Sequence, residues 1–321
     1  MDFQKRLELI KRNTIEIVTE KELHELLEKK KQPVLYHGFE PSGKGLHIGN
    51  ILAINKHMDF QNAGLKLIIL LADFHAWLNE KGSVEDIKKT AEIYKKSMTA
   101  LGVDAKKSEF VLGSSFQLKP KYFSDVMKLS LSVRMLRARR SMTLIGREEE
   151  DPHISQVLYP LMQVEDIKAL NVDIAFGDMA QRKVHMLARE NLPGIGFRSP
   201  IAIHHEDMIG LQGGKMSSSI PKSHILVNES PESIEGKISE AYCPAKQNNR
   251  NPILQICEYI IFGRQEEFKV ERSEKHGGDI RYDNYKELEK DFTSGKLHPL
   301  DLKKSVSRVL IKFLEPARKV K

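Results

Sequence analysis

The 321-residue chain is predicted to be an α/β protein with a mainly parallel sheet, on three observations. Short apolar runs alternate with longer periodic segments over the first two-thirds. One run, Leu65-Lys66-Leu67-Ile68-Ile69-Leu70-Leu71, is almost unbroken, as suits a strand buried on both faces. A glycine-rich segment follows one strand directly and opens a helix. Residues 34–39 form the strand before that segment, and residues 47 to about 61 the helix after it, closed by Gly64. Ser83, with Asp86 three positions on, reads as the N-cap of a helix running to about residue 101. Residues 109–112, 172–176 and 200–204 are further strands, joined through right-handed crossovers.

After about residue 227 the pattern turns helical. Residues 231–242, 253–262, 285–293 and 300–314 all read as helices, and Pro231 falls at a first helical position. The expected division is therefore 1–228 and 229–321, the second part mostly helical. No internal repeat or low-complexity segment interrupts either.

Composition narrows the function classes. Hydrophobic residues at 40% and charged residues at 30% exclude general disorder, and no apolar run approaches the roughly 18 residues of a spanning helix. Met1-Asp2-Phe3-Gln4-Lys5-Arg6 leads into mixed charge rather than an apolar signal core, so a cytoplasmic location is expected. Cys243 and Cys257 are too few for a disulfide framework or a cysteine zinc site. A net charge of +7 permits nucleic-acid binding without requiring it. Arg134, Arg137, Arg139 and Arg140 cluster within seven positions, for which a solvated helix face is the plainer account.

Two segments carry chemistry. In Gly38-Phe39-Glu40-Pro41-Ser42-Gly43-Lys44-Gly45-Leu46-His47-Ile48-Gly49-Asn50 the P-loop pattern fails at Gly45, where Ser or Thr should hold magnesium. The dinucleotide fingerprint fails too, since three residues separate Gly45 from Gly49. What remains is a helix N-terminus with free N–H groups suited to polyphosphate, His47 as a donor, and Gly49 open to a flat base; a tight turn with an incidental histidine reads equally well. In Gly213-Gly214-Lys215-Met216-Ser217-Ser218-Ser219 a lysine between glycines and hydroxyls reads as an anion-gripping loop.

Together these segments resemble the HIGH and KMSKS signatures of class I aminoacyl-tRNA synthetases, in the right order. Residues 36–44, 70–76, 137–142, 159–167, 178–185, 215–219 and 298–301 extend the likeness along nearly the whole chain. The sequence resembles the tyrosyl-tRNA synthetases of archaeal and eukaryotic type. The resemblance implies a Rossmann-like catalytic domain with a helical insertion at about 118–155, then an anticodon-binding domain. It implies activation of tyrosine by ATP and transfer to the 3′ end of tRNA(Tyr), by a homodimer joined through the insertion. Mg2+ would arrive with ATP, and no tightly bound cofactor or protein metal site is expected.

Carried over by position, Tyr36 and Asp166 would meet the substrate phenol, and Tyr159, Gln163 and Gln181 its amino group. Spacings of four and three put Tyr159, Gln163 and Asp166 on one helix face, and Asp166 among apolar neighbours needs a partner. ATP would lie against Gly38, Glu40, Ser42, Gly43, His47, Gly49, Asn50, Lys215, Met216, Ser217, Ser218 and Ser219. Of these, His47, Asn50, Lys215, Ser217 and Ser218 would be catalytic. Arg140 and Lys183 would read the acceptor stem, and His276, His298, Pro299 and Asp301 the anticodon. His75, Tyr122 and His185 are pocket-lining or core residues. Two departures stand out: Asn50 replaces the usual final histidine, and one extra residue lies near Gly45-Leu46. A tryptophanyl-tRNA synthetase and a non-catalytic RNA-binding paralogue are the alternatives. The first lacks a need for the Tyr36–Asp166 pair, and the second would be expected to lose the lysine loop.

Overall fold

The computed structural model describes residues 1–142, 153–216 and 220–320. The chain runs α1 (Phe3–Lys11), β1 (Glu16–Val18), α2 (Glu20–Lys29), β2 (Val34–Phe39), α3 (Ile51–Asn62), β3 (Lys66–Leu71), α4 (Asp73–Leu78), α5 (Val84–Ala100) and β4 (Ser108–Leu112). It continues through α6 (Ser114–Gln117), α7 (Pro120–Ser132), α8 (Met135–Met142), α9 (Ile154–Ala169), β5 (Ile174–Asp178), α10 (Arg182–Asn191) and β6 (Ile201–His205). The remainder is α11 (Pro231–Glu240), α12 (Pro252–Gln255), β7 (Phe268–Val270), β8 (Ile280–Tyr282), α13 (Tyr285–Ser294) and α14 (Pro299–Arg318).

Residues divide into two compact units. The first comprises Met1–Gly43, Lys56–Lys95 and Val103–Asp207; the second comprises Lys44–Asn55, Lys96–Gly102 and Met208–Lys321. All six strands of the main sheet lie in the first, in the order β1-β6-β5-β2-β3-β4, parallel except for β1. From β2 the chain steps outward to β3 and β4, then returns to the other side of β2 as β5 and β6. The strand order therefore reverses between β2 and β5, where Tyr36 pairs with Ala175. In open α/β sheets a crevice forms at the carboxyl ends of the strands at such a point.

The expected elements recur with specific differences. Strand β3 is buried from Leu67 to Leu71, as its apolar run demands. Ser83 caps α5: its Oγ accepts from the Asp86 N–H at 3.2 Å and donates to the Asp86 carboxylate at 2.7 Å. Pro231 starts α11 behind a Ser230 cap. The strand expected at 172–176 is Ile174–Asp178 instead, because the Val172 N–H closes the end of α9 on the Ile167 carbonyl. The expected helix 253–262 is one turn, α12, followed by a π-helical turn Ile256–Ile261. The hairpin β7–β8 was not expected; each strand is three residues, too short for its alternation to register. Edge strand β1 was missed for the same reason. Among the described residues no helix is long and apolar enough to cross a membrane.

Candidate active site

A buried polar cluster forms in the first unit near the β2–β5 reversal. Tyr36 comes from β2, and Gly38, two residues on along the same strand face, leaves room for its hydroxyl; a Cβ there would lie 2.8 Å from Tyr36 Oη. Tyr159, Gln163 and Asp166 share one buried face of α9, as their spacing predicts. Gln181 sits at the end of the turn after β5, held by a hydrogen bond from its N–H to Asp178 Oδ1 at 3.1 Å. Gly177 lets it lie over the strand end, since a Cβ would come within 3.0 Å of the Gln181 side chain. The Gln163 amide donates to Gln181 Oε1 at 2.8 Å, and the Tyr159 hydroxyl donates to Glu40 Oε2 at 3.1 Å. Asn79 also donates to Glu40, at 3.0 Å.

Asp166 is fully buried, and only half of its carboxylate is satisfied. Gln117 Nε2 and the Tyr122 hydroxyl both donate to Oδ1 at 2.8 Å, whereas Oδ2 has no partner among the described residues. His75 Nε2, 3.7 Å from Oδ2, is likewise unpartnered. Since Gln117 Nε2 donates, His75 Nδ1 is the acceptor at 3.2 Å and the neutral ring carries its proton on Nε2. Burial pushes Asp166 up to about 7 against the pull of Gln117 and Tyr122, and pushes His75 down to about 4. Burial likewise holds the Tyr36, Tyr122 and Tyr159 phenols well above their ordinary range, so all three stay neutral. A lone acceptor oxygen walled by neutral donors is a receptor for an O–H donor.

Gln117 is the residue that sequence reasoning missed. It lies on a four-residue helix with no periodicity, and its role is visible only once α6 and α9 are packed. Tyr122 was placed among the lining residues; it also anchors Asp166. Ser42 is held through its backbone, donating to and accepting from the Tyr94 hydroxyl, and Gly43 takes φ +64°, which favours glycine.

The two glycine-rich motifs meet in the second unit. Leu46 and Ile48 pair through their backbones with Val227 and Ile225, just beyond the lysine loop. His47 Nδ1 accepts from the Gly49 N–H at 3.1 Å, while Asn50 Oδ1 accepts from the His47 N–H at 3.0 Å. The replaced fourth residue therefore closes a reciprocal cap. Burial and then His224 lower His47 to about 4, so its imidazole is neutral, with Nδ1 occupied and the proton on Nε2. A Cβ on Gly49 would lie 2.7 Å from Met216 Sδ and 2.9 Å from the His47 ring, so any side chain there would force one or both to shift. Lys215 is exposed at the end of a tight turn, bridged to Ile209, in which Gly213 has φ +84°. Ser217, Ser218 and Ser219 lie outside the described residues.

The family model described as "tRNA synthetases class I (W and Y)" matches residues 28–315. A tyrosine–tRNA ligase of Methanopyrus kandleri is 50% identical over 319 residues, covering 99% of this chain and 98% of its own. The tyrosyl-tRNA synthetase of Archaeoglobus fulgidus, solved with L-tyrosine, superposes with TM-score 0.96 at 50% identity over 99% of both chains. The chain belongs to the archaeal-type tyrosyl-tRNA synthetases. The Pyrococcus horikoshii member, also solved with L-tyrosine, gives 0.93 at 38% identity, covering 99% of this chain and 96% of that one. Tryptophan as the family's amino acid is thereby displaced by tyrosine, in keeping with the resemblance drawn from the motifs.

The residues expected to meet RNA in such a synthetase come from both units. Arg140 is exposed in the last turn of α8, and Lys183 is half-buried in the first turn of α10. Arg137 has a structural role, gripping the Glu190 carboxylate at 2.8 and 3.0 Å. His298 caps α14, its Nδ1 accepting from the Leu300 N–H at 3.2 Å, with Pro299 at the first helical position and Asp301 in the first turn. His276 closes the turn Glu274–His276 before left-handed Gly277; its side chain lies outside the described residues.

Proposed function

We propose that the chain is a tyrosine–tRNA ligase, which activates L-tyrosine with ATP to tyrosyl-adenylate and transfers the tyrosyl group to the 3′ end of tRNA(Tyr). The observation that carries this reading is the unpartnered, buried Oδ2 of Asp166, an acceptor awaiting a hydroxyl. The phenol donates to it, and Tyr36 donates to the phenol oxygen. Tyr159 and Gln163 with Gln181 take the ammonium group. ATP–pyrophosphate exchange with each amino acid in turn tests the proposal: exchange with tyrosine alone is expected, and exchange with tryptophan or with none would overturn it.

The substrate carboxylate is already a nucleophile, so catalysis reduces to positioning and to stabilising charge on the α-phosphate in flight. A neutral His47 offers its Nε2–H as a hydrogen-bond donor rather than a charge. Positive charge comes from Lys215, assisted by Ser217 and Ser218, and from the Mg2+ that accompanies ATP. Gly38, Glu40, Ser42, Gly43, Gly49, Asn50, Met216 and Ser219 shape the remaining nucleotide contacts. We assign residues 1–228 to catalysis and 229–321 to the anticodon.

Arg140 and Lys183 address the acceptor stem, and His276, His298, Pro299 and Asp301 the anticodon. Asp301→Ala is accordingly expected to lower tRNA charging while leaving pyrophosphate exchange intact, by about 1–3 kcal/mol of base discrimination. Anticodon substitutions that affected wild type and variant equally would displace the contact.

Large apolar side chains stand exposed in and around the insertion, with Leu131 at 89% and Ile154 at 79%, alongside Leu118, Phe123, Met135 and Leu136. Such a concentration suits a subunit interface better than water. Leu131→Glu should shift the sedimentation coefficient from dimer to monomer. Unchanged sedimentation would place the interface elsewhere.

A further inference from the structure

Within the second unit, one short segment touches the roots of both nucleotide motifs. The Gln255 side-chain carbonyl, at the end of α12, accepts from the Ile209 N–H at 2.7 Å. Ile209 is the residue bridged to Lys215, so this bond fixes the base of the lysine turn. Four residues on, in the π-helical turn, the Tyr259 carbonyl accepts from Asn55 Nδ2 at 2.9 Å. Asn55 is buried in α3, five residues beyond Asn50 of the other motif. Gly263 closes the turn where no side chain fits: a Cβ would lie 2.3 Å from the Tyr259 carbonyl oxygen and 2.7 Å from Asn55 Nδ2. Arg264 then donates through Nε to Asn55 Oδ1, and its guanidinium lies 4.3 Å over the Phe313 ring of α14. Both hydrogen-bonding atoms of the Asn55 amide are thus committed, one to each side of Gly263. π-helical turns recur where a helix is bent to serve a function.

We propose that Gln255 and Asn55 are positioning residues for adenylate formation, through which the segment Pro252–Arg264 holds His47–Asn50 and Lys215 in register with one another. The inference rests on the ATP roles assigned above. Both residues hydrogen-bond to elements that carry the two nucleotide motifs, so loss of the brace should act on the phosphate-transfer step and leave tyrosine binding alone.

The test is single-turnover adenylate formation, with tyrosine affinity from equilibrium dialysis, on Gln255→Leu and Gln255→Glu. Leucine removes the acceptor for Ile209; glutamate keeps an acceptor oxygen there. Gln255→Leu should lower the rate constant about tenfold, the scale of roughly one neutral hydrogen bond, and Gln255→Glu should recover most of it. Tyrosine affinity should stay within about twofold in both. A Gln255→Leu rate constant equal to wild type would overturn the proposal, as would parallel loss of tyrosine affinity, which marks a purely structural role. If Gln255→Leu does not fold, Asn55→Asp decides. It keeps the acceptor for Arg264 but loses the donor to Tyr259, and must slow the same step with tyrosine affinity kept. A wild-type protein without tyrosine-dependent exchange would remove the ATP reading itself, a result distinct from an unaltered variant.

Discussion

Replacing Tyr36 with Phe and Asp166 with Leu together should abolish most of the preference for tyrosine over phenylalanine, by a factor of about 10² to 10⁴ in the ratio of kcat/KM values. Each buried polar group left unpaired by phenylalanine costs about 1–3 kcal/mol, and the double variant has neither group to leave unpaired. Tyrosyl-tRNA synthetases are themselves the standard instance of such rejection, on the order of 10⁵; the proposal names the Tyr36 hydroxyl and Asp166 Oδ2 as the atoms that carry it. Asp166 Oδ2 has no partner among the described residues, and Gln117 and Tyr122 occupy the other oxygen. Gln163 and Gln181, the proposed ammonium partners, are kept, so the variant should still activate both amino acids. A ratio at the wild-type value would show that other residues read the hydroxyl.

The same carboxyl gives a pH signature. Burial lifts Asp166 from 3.8 to about 7, so its carboxyl is half protonated near neutrality. The ionised form is the stronger acceptor for the phenol hydroxyl, so tyrosine affinity should rise with pH through about 7, by up to about tenfold between pH 6 and 8. Stability runs the other way. A carboxyl that holds its proton more tightly when folded loses its stabilising contribution as pH rises from about 4 through about 7. Glu165, raised by burial to a similar value, also titrates there, so Glu165→Gln is the control. Dialysis on Asp166→Asn should lose the dependence, whereas Glu165→Gln should keep it.

Why some of this was legible beforehand and some was not follows from the physics of each element. Strand β2 matched its expected bounds because its apolar run is bounded by proline and a glycine turn. The face shared by Tyr159, Gln163 and Asp166 was readable because helical spacing survives any tertiary context. Gln117 was not readable: a four-residue helix has no period, and the value of its amide depends on α9 lying beside it. The cap formed by Asn50 was hidden differently. A phosphate role was the natural reading of a polar residue ending that motif, yet its oxygen serves the His47 backbone. The brace at Gln255 and Asn55 joins positions 46 and 204 residues apart, and no local pattern announces such pairs.

Lys215→Ala should slow adenylate formation by about 10² to 10³, the scale for removing one preorganised group that stabilises developing charge. Tyrosine affinity should be almost unchanged. Three features converge on the first figure. Lys215 is the exposed end of a turn whose backbone is tied by hydrogen bonds among Gly210, Gly213 and Gly214. Met216, the next residue, packs against Gly49 of the other motif, which brings the two motifs into one place without using the lysine itself. The neutral imidazole of His47 supplies a hydrogen bond but no charge, leaving the lysine as the fixed cation of the two motifs' signature residues. Since negative charge on the phosphate is redistributed only as pyrophosphate departs, the contribution proposed for the lysine should fall on the rate constant rather than on ground-state binding of tyrosine. Lys215→Arg keeps the charge but changes its shape, and should fall between the two. Stopped-flow measurement of adenylate formation at saturating ATP decides the matter. A Lys215→Ala rate constant equal to that of wild type would remove the residue from the chemistry.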